Sequence, residues 1–527
     1  MIVHSMNRRQ LLSWIGKTAG VSAMYQAMSS LGFAAESRPM SHLNFSGAPK
    51  GASVLILGAG LAGMAAAYEL SQAGYKVKIL EYNGRAGGRC WTLRGGDTFT
   101  ELGGEKQTCE FSDGNYINPG PWRIPHDHHH VMEYCNKFGV ALEPFCQLNY
   151  NAYLHSTQAF DGKPQRYRHV QADYQGYISE MLGKVVKQGA LDDELTLEDR
   201  ERLFESLRSF AALDENGAYK KSLETSMRRG FAIDPPGGLG PSTQYSEPLD
   251  RSALIQSELW EHIWKGQQLR HMSTIFQPVG GMDSIAKAFV QRVGQFIEYN
   301  AKVTHIDQSD TGVSATYTVN GEEKVASADW CVCTIPLSIL GQIPMKVGTA
   351  MQMAIRAVPY DASIKIGLEF KRRFWEQDDT IYGGLSYTDL PISQISYPSS
   401  NFGSKGAGVL LGAYTYGPNA YEFTSLPPAQ RIKQAVKYGA QIHPQYTEEF
   451  ANGISVGWHR VPWTLGCYGM WTEETRKAHY ENLCNIDGRI VLAGEHASYL
   501  PAWQEGALSS ARDAIQRLHN EIVSTGA

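Results

Sequence analysis

No run of about 18 consecutive apolar residues occurs in this chain, so no membrane-spanning helix is expected. A basic excess is also missing. The 48 Lys and Arg residues face 53 Asp and Glu, a net charge of −5, which leaves no footprint for nucleic acid or for an acidic membrane surface. The eight cysteines (Cys90, Cys109, Cys135, Cys146, Cys331, Cys333, Cys467 and Cys484) show no CxxC spacing, which removes a zinc site or a thioredoxin-like pair. Cys331 and Cys333 stand two apart in an apparent strand, the arrangement of buried thiols; disulfide pairing stays open. No Ser-His-Asp or zinc-hydrolase motif, internal repeat or low-complexity tract is present. His126-Asp-His-His-His130 suggests a metal site at first sight. Pro125 can begin a helix, however, and these residues would spread round its first turn, so they read as a solvated helix start and no metal is expected. What remains is an ordinary globular composition, 43% hydrophobic and 19% charged, in 527 residues that can hold two or three domains.

Acidic residues are absent before Glu36. Asn7-Arg8-Arg9-Gln10-Leu11-Leu12 opens this stretch, and a weakly apolar segment broken by Lys17 runs to Phe33-Ala34-Ala35. Residues 1–35 resemble a twin-arginine export signal, which implies a periplasmic or secreted protein exported already folded, with its cofactor bound. Residues 36–50 read as a linker.

Residues 53–105 carry two linked glycine signatures. Ser-Val-Leu-Ile-Leu at 53–57 precedes Gly58-Ala-Gly60-Leu-Ala-Gly63. The spacing predicts a helix over Met64–Ala73 ended by Gly74, then a second strand over Lys76–Leu80 and Glu81. This strand–turn–helix–strand context gives the GxGxxG pattern its dinucleotide-binding meaning. Gly58 permits the tight turn, Gly60 admits a pyrophosphate, and Gly63 lets the helix pack on the strand. Helix N–H groups then face the phosphates. Glu81 lies where a carboxylate bonds the adenosine ribose hydroxyls. Arg85-Ala-Gly87-Gly88-Arg89 follows and resembles the second phosphate loop of FAD-dependent amine oxidases; Glu101-Leu-Gly-Gly-Glu105 continues the likeness.

Further along, residues 106–125 read as a long loop and 126–270 as mostly helical. Leu203, Phe204, Leu207 and Phe210 share one helix face. Asp234–Pro241 breaks regular structure. Another helix begins near Asp283, with Asp283 as its cap. Strands are expected around 296–307, 313–319, 328–336, 360–372, 408–416 and 489–495, and a helix from about Glu505.

The chain is similar to the flavin amine oxidase family over most of 53–515, and closest to its L-amino acid oxidases. Ala493-Gly-Glu495-His with Trp503-Gln-Glu-Gly506-Ala507 resembles the family's C-terminal flavin motif. The resemblance implies that Glu495 bonds the ribitol or pyrophosphate region, while Gly506 and Ala507 begin a helix facing the flavin O2/N1 edge. It adds Ala62, Gly88, Arg89, Val303 and Trp458 to the cofactor site. Val358-Pro-Tyr-Asp-Ala-Ser-Ile-Lys365 before Phe374-Trp375 resembles the segment whose lysine holds a water at flavin N5. Ile364, Ile366 and Leu368 share the opposite strand face. Tyr468 and Trp503 match aromatics flanking the substrate nitrogen, with Ala502 beside them; Trp463 reads equally well as core.

Two residues separate amino acids from simple amines. Gly120-Pro-Trp-Arg123 resembles the segment whose arginine clamps a substrate carboxylate, and Tyr414 in Val409–Gly417 resembles its tyrosine partner. The family's usual LGxxR spacing is here interrupted by an insertion. The implied fold is α/β: a discontinuous Rossmann-like FAD domain (51–105, 271–336, 457–520), a mixed-sheet substrate domain (337–456) and a helical and substrate region (126–270). The implied cofactor is non-covalent FAD, since 493–510 contains no cysteine. The implied reaction is oxidation of L-amino acids with oxygen as acceptor, a homodimer being one of the open assemblies. A primary-amine or polyamine oxidase, an amino acid monooxygenase and a non-enzymatic flavin carrier are the alternatives.

Overall fold

The computed structural model describes residues 42–191 and 193–525. The export segment, 1–35, lies outside them. Around the first glycine motif the chain follows its expected course. A strand at Ser53–Leu57 leads into a helix at Leu61–Gln72, and a second strand follows at Lys76–Leu80. Ser53–Leu57 is the centre of a five-stranded parallel sheet in the order Ile297–Glu298, Lys76–Leu80, Ser53–Leu57, Trp330–Cys333, Ile490–Leu492. Strands from three distant stretches of chain therefore share one sheet.

Parallel sheets bury both faces, and this one does so by alternation. Val54 and Ile56 point into a core made with Met64, Ala65, Phe289, Leu508 and Ile515, from the helices Leu61–Gln72, Asp283–Val293 and Gln504–Thr525. Leu55, Leu57, Cys331 and Cys333 point the other way, against the antiparallel strands Lys302–Gln308, Val313–Val319 and Glu322–Ala328. Cys331 and Cys333 are buried thiols, and all eight cysteines are unpaired.

The second layer is a seven-stranded mixed sheet. Its order is Gln165–Arg166, Tyr153–His155, Leu385–Thr388, Gln394–Ser396, Gly408–Tyr416, Ser363–Phe370, Phe450–Gly457. Every residue of Ser363–Phe370 is buried. Ile364, Ile366 and Leu368 face a core with Phe374, Trp375 and Ala435. Lys365 faces the other way, toward Tyr414, its register partner. Helices Tyr167–Lys187, Leu197–Ala211, Leu223–Arg229 and Arg251–Gln256 form the insertion, pinned by a fully buried Arg229–Asp173 pair at 2.9 Å.

Several local expectations change. The stretch 106–125 is not a plain loop: Lys106–Thr108 pairs with Thr98–Thr100, Tyr116–Ile117 with Leu93–Arg94, and Ile124–Pro125 with Ile275–Pro278. One partner lies 150 residues away, so no local pattern reveals it. The largely helical region also gives Tyr153–His155 and Gln165–Arg166 to the second sheet. Phe210 is 59% exposed, outside the packed stripe that Leu207 enters. Asp283 is the first residue of its helix rather than the cap, and its carboxylate is taken by Arg94 and Lys287. Pro125 ends a strand, the helix begins at His129, and His128 and His130 are buried. The His126–His130 run is therefore not a solvated helix start. The Glu505 carboxylate accepts from the His130 and Val131 amides, which draws this turn into the core. Among the described residues no cluster suited to a metal ion occurs.

Candidate active site

A cavity of about 1390 Å³ runs between the two sheets. At one end it is lined by Glu81, Tyr82, Asn83 and Val303, at the other by Arg123, Tyr414, Tyr468 and Trp503, with Gly58, Gly60, Ala62, Gly87, Gly88 and Arg89 among the other lining residues. The two glycine loops touch: the Gly87 amide donates to the Ala59 carbonyl at 2.8 Å. Gly58 has φ +101° and Gly87 φ +102°, a region open to glycine and strained for other residues. A Cβ on Gly63 would sit 2.0 Å from the Gly58 carbonyl oxygen, so Gly63 packs helix on strand and stays out of the cavity. A Cβ on Gly60 would meet nothing within 4 Å, which leaves the backbone open to a ligand there.

This cradle fits a pyrophosphate. The helix Leu61–Gln72 begins at Gly60 with no side-chain cap and no acidic residue in its first turn, so its amides and its dipole are available to an anion. Glu81 is buried; it accepts from the Ala59 amide at 2.7 Å and the Asn83 amide at 2.8 Å. Burial pushes its carboxyl above the usual range, against the pull of those amides. At the opposite end of the loop, Arg89 donates to Glu495 and to the Cys467 carbonyl, both at 2.8 Å. Glu495 also accepts from the Gly469 and Ala502 amides at 3.2 Å. The last helix starts at Gln504. Ala507 reaches the cavity, whereas Gly506 is a packing position whose Cβ would lie 2.2 Å from the Leu500 carbonyl oxygen.

Aromatic side chains form the wall between the ends. Trp458 is buried and donates to the Pro119 carbonyl at 2.7 Å. Trp463 lines the cavity as well, so it is more than core. Tyr468 donates to Asp361 at 3.2 Å, and burial lifts the Asp361 carboxyl to about 6. Trp503 is met edge-on by His128, with ring centroids 4.8 Å apart. Ala502 lies beside it in the lining.

Lys365 is placed one layer back. It is 2% exposed and lies behind the cavity wall. Its ammonium donates to the Gly120 carbonyl and, at 3.3 Å, to the Asn118 carbonyl. The nitrogen also sits 4.8 Å from the Trp122 ring centroid and 4.4 Å from that of Tyr414. No carboxylate pairs with it among the described residues. Burial, with Arg123 adding to it against an opposing pull from Cys467, brings its pKa down to about 7.

Arg123 has the most unusual setting. It donates to Gln147 Oε1 at 2.8 Å and meets His271 Nε2 at 2.9 Å. His271 Nδ1 lies 3.0 Å from the Lys265 carbonyl, so Nδ1 carries the proton and Nε2 accepts. Burial and then Arg123 hold His271 neutral, down to about 3. The guanidinium lies 5.1 Å from the Trp122 ring and 5.7 Å from the Trp503 ring, and its buried Nε has no partner. Among the described residues no carboxylate neutralises it. Burial lowers its pKa from the ordinary value. On the same wall Tyr416 donates its hydroxyl to Tyr414, whose ring meets Trp122. A half-buried, uncompensated guanidinium near a hydrogen-bonded, tilted tyrosine pair is built to receive an anion. Sequence reasoning missed His271, Gln147, Tyr416 and Asp361, whose roles arise only from chain crossings. Tyr416 alone had a local signal, standing two residues from Tyr414 in one strand.

Comparison with known proteins converges on one family. The family of flavin containing amine oxidoreductases matches residues 61–519. The YobN protein of Bacillus subtilis (strain 168) is 31% identical over 471 residues, 87% of this chain and 92% of its own length. An L-amino-acid oxidase of Siganus canaliculatus is 27% identical, over 89% of this chain and 86% of its own, and one of Vipera ammodytes ammodytes 28%, over 88% and 92%. Among solved structures, cyclohexylamine oxidase from Brevibacterium oxydans matches with a TM-score of 0.60 at 16% identity, over 90% of this chain and 100% of that one. Putrescine oxidase bound to putrescine matches at 0.58 and 15%, with the same coverage.

Proposed function

We propose that this chain, which belongs to the family of flavin containing amine oxidoreductases, is an FAD-dependent L-amino acid oxidase with oxygen as its acceptor. The observation that carries the reading is Arg123, half-buried at the cavity wall and left without a carboxylate partner among the described residues. An amine substrate would give it no counter-charge; an amino acid supplies one.

FAD held in this cavity would supply hydride-accepting chemistry toward the substrate Cα and electron transfer to oxygen, giving an imino acid and hydrogen peroxide; water would then convert the imino acid to a 2-oxo acid and ammonia. The protein's part is positional and electrostatic. Gly58–Gly63, Gly87–Arg89, Glu81 and Glu495 would hold the cofactor. Arg123 would bind the substrate carboxylate, with Tyr414 turned toward the same group. Tyr468, Trp503 and Trp458 would keep water from the reacting carbon and orient the amine. The amine must be neutral to release the hydride. Lys365, with a pKa near 7, would stay able to exchange a proton at its ammonium nitrogen around neutral pH. Its water-holding role at flavin N5 would need the Asn118 and Gly120 contacts to be shared with that water.

Non-covalent attachment is supported by the cysteine-free stretch 493–510. Export through the twin-arginine route, to a periplasmic or secreted location, is proposed from Arg8 and Arg9. The reading is tested by adding single amino acids anaerobically to the yellow protein. Bleaching of the flavin bands by amino acids supports it; bleaching by simple amines alone favours the amine oxidase alternative.

A further inference from the structure

The proposed reaction assigns two ends of the substrate and leaves its side chain without a place. With the carboxylate at Arg123 and the amine by Tyr468 and Trp503, another wall of the cavity remains for it. That wall is the pair of 3-10 turns Leu259–Gln267 and Leu269–His271, which presents Trp264, Gln268, Arg270 and His271. Charge along the cavity is one-sided. Among the described residues only two carboxylates line it, Glu81 and Glu495, and both belong to the proposed cofactor site. Both are committed, Glu81 to backbone amides and Glu495 to Arg89. The rest of the lining carries two guanidiniums, Arg123 and Arg270, and no carboxylate. Asp127 stands outside the lining, 3.5 Å from Arg270 Nε, where it orients the side chain. Gln268 adds a buried amide nitrogen with no hydrogen-bond partner. His271 is neutral and adds no charge of its own.

Each class of side chain meets this wall differently. A basic one would meet Arg123 and Arg270, with only Asp127, among the described residues, behind Arg270 to offset them. An apolar one would leave the Gln268 donor buried and unmatched. A carboxylate would gain charge-assisted hydrogen bonds. Resting on the amino acid oxidase reading, we propose that the preferred substrates carry a second anionic group, an acidic side chain of the L-glutamate or L-aspartate kind, received by Arg270 with the Gln268 amide beside it.

The test is peroxide release by the FAD-loaded protein with L-glutamate, L-aspartate, their amides L-glutamine and L-asparagine, and L-leucine. Wild type should show a kcat/KM for its better acidic substrate roughly tenfold or more above that for the matching amide. Arg270→Gln should lower this acid-to-amide ratio at least about tenfold, and Arg270→Lys should restore part of it. Gln268→Ala should lower the ratio less. A wild-type preference for L-leucine, or equal rates for acid and amide, overturns the acidic-substrate inference and leaves the oxidase reading standing. Peroxide from amines and from no amino acid overturns the oxidase reading itself. Equal losses on every substrate in Arg270→Gln, with the flavin spectrum kept, would make Arg270 structural and overturn its role. If Arg270→Gln lacks a flavin spectrum, the wild-type ratio and Gln268→Ala decide.

Discussion

Replacing Arg123 by methionine keeps most of the side-chain volume and removes the charge. The guanidinium is enclosed, is bonded only to neutral Gln147 and His271, and has an unpaired Nε–H. A substrate carboxylate would be its first anionic partner. Losing such a desolvated, charge-assisted pair costs about 2–5 kcal/mol. At 1.36 kcal/mol per decade, that is roughly 30- to 5,000-fold in kcat/KM. The matching decarboxylated amine has no carboxylate to lose, so its kcat/KM should change far less. Tyr414→Phe removes one neutral donor, about 0.5–1.5 kcal/mol, or roughly 2- to 13-fold, in the same direction. The assay is peroxide-coupled kcat/KM for one amino acid and its amine in wild type and both variants. Melting supplies a second readout. A half-buried charge without a counter-ion gives a fold little stability, so Arg123→Met should hold or raise Tm in the substrate-free protein. Equal losses on amine and amino acid, joined to a lower Tm, would refute the carboxylate clamp. The amine oxidase alternative would then lead.

Four other outcomes are expected. Lys365→Met should keep the flavin and slow its reoxidation by oxygen more than its reduction by substrate; unchanged oxygen reactivity in stopped-flow would remove that role. The folded pKa of Lys365, about 7, lies below its ordinary 10.5, so between those pH values the unfolded chain binds more protons and stability rises with pH; the burial cost is full below about pH 7. Lys365→Met should therefore flatten the gain in Tm between about pH 7 and pH 10, and an unaltered slope would mean the lysine is not desolvated. Acid or heat should release intact FAD, and flavin retained on the denatured chain would point to a cysteine such as Cys467, which lines the cavity. Arg8→Lys with Arg9→Lys should leave the protein in the cytoplasm, as read by fractionation.

Much of the framework was legible because its signals are local. The glycine spacing at 58–63, the apolar run in 53–57 and the strand at 363–370 each depend on neighbours a few residues away. Of the site residues named from sequence, Gly63, Gly506 and Lys365 do not line the cavity. For the two glycines the reason is steric, since their missing Cβ atoms make room for backbone. Lys365 was legible as facing away from Ile364 and Ile366, but not as capped by carbonyls of Asn118 and Gly120, which arrive from some 245 residues earlier. His271 escaped for a similar reason. Its meaning comes from Arg123, 148 positions away, and a lone histidine after an arginine carries no such message. The histidine run at 126–130 misled because Pro125 favours a helix start locally, while pairing with Ile275 makes it the end of a strand.

The parallel sheet has a consequence for how the protein comes into being. Its central strand, Ser53–Leu57, is made more than 400 residues before the edge strand Ile490–Leu492 and the helix Gln504–Thr525. That helix packs against Leu61–Gln72, the helix that follows the first glycine turn. Glu495, the partner of Arg89, lies 406 residues after it. A nascent chain emerging from the ribosome therefore carries its nucleotide-binding turn for most of its synthesis without the surfaces that close over it. Contacts of such sequence separation form slowly, and the half-made sheet exposes strand edges meanwhile. Cofactor capture thus waits for Ile490–Leu492, Glu495 and Gln504–Thr525, and losing those segments would cost the flavin together with the fold.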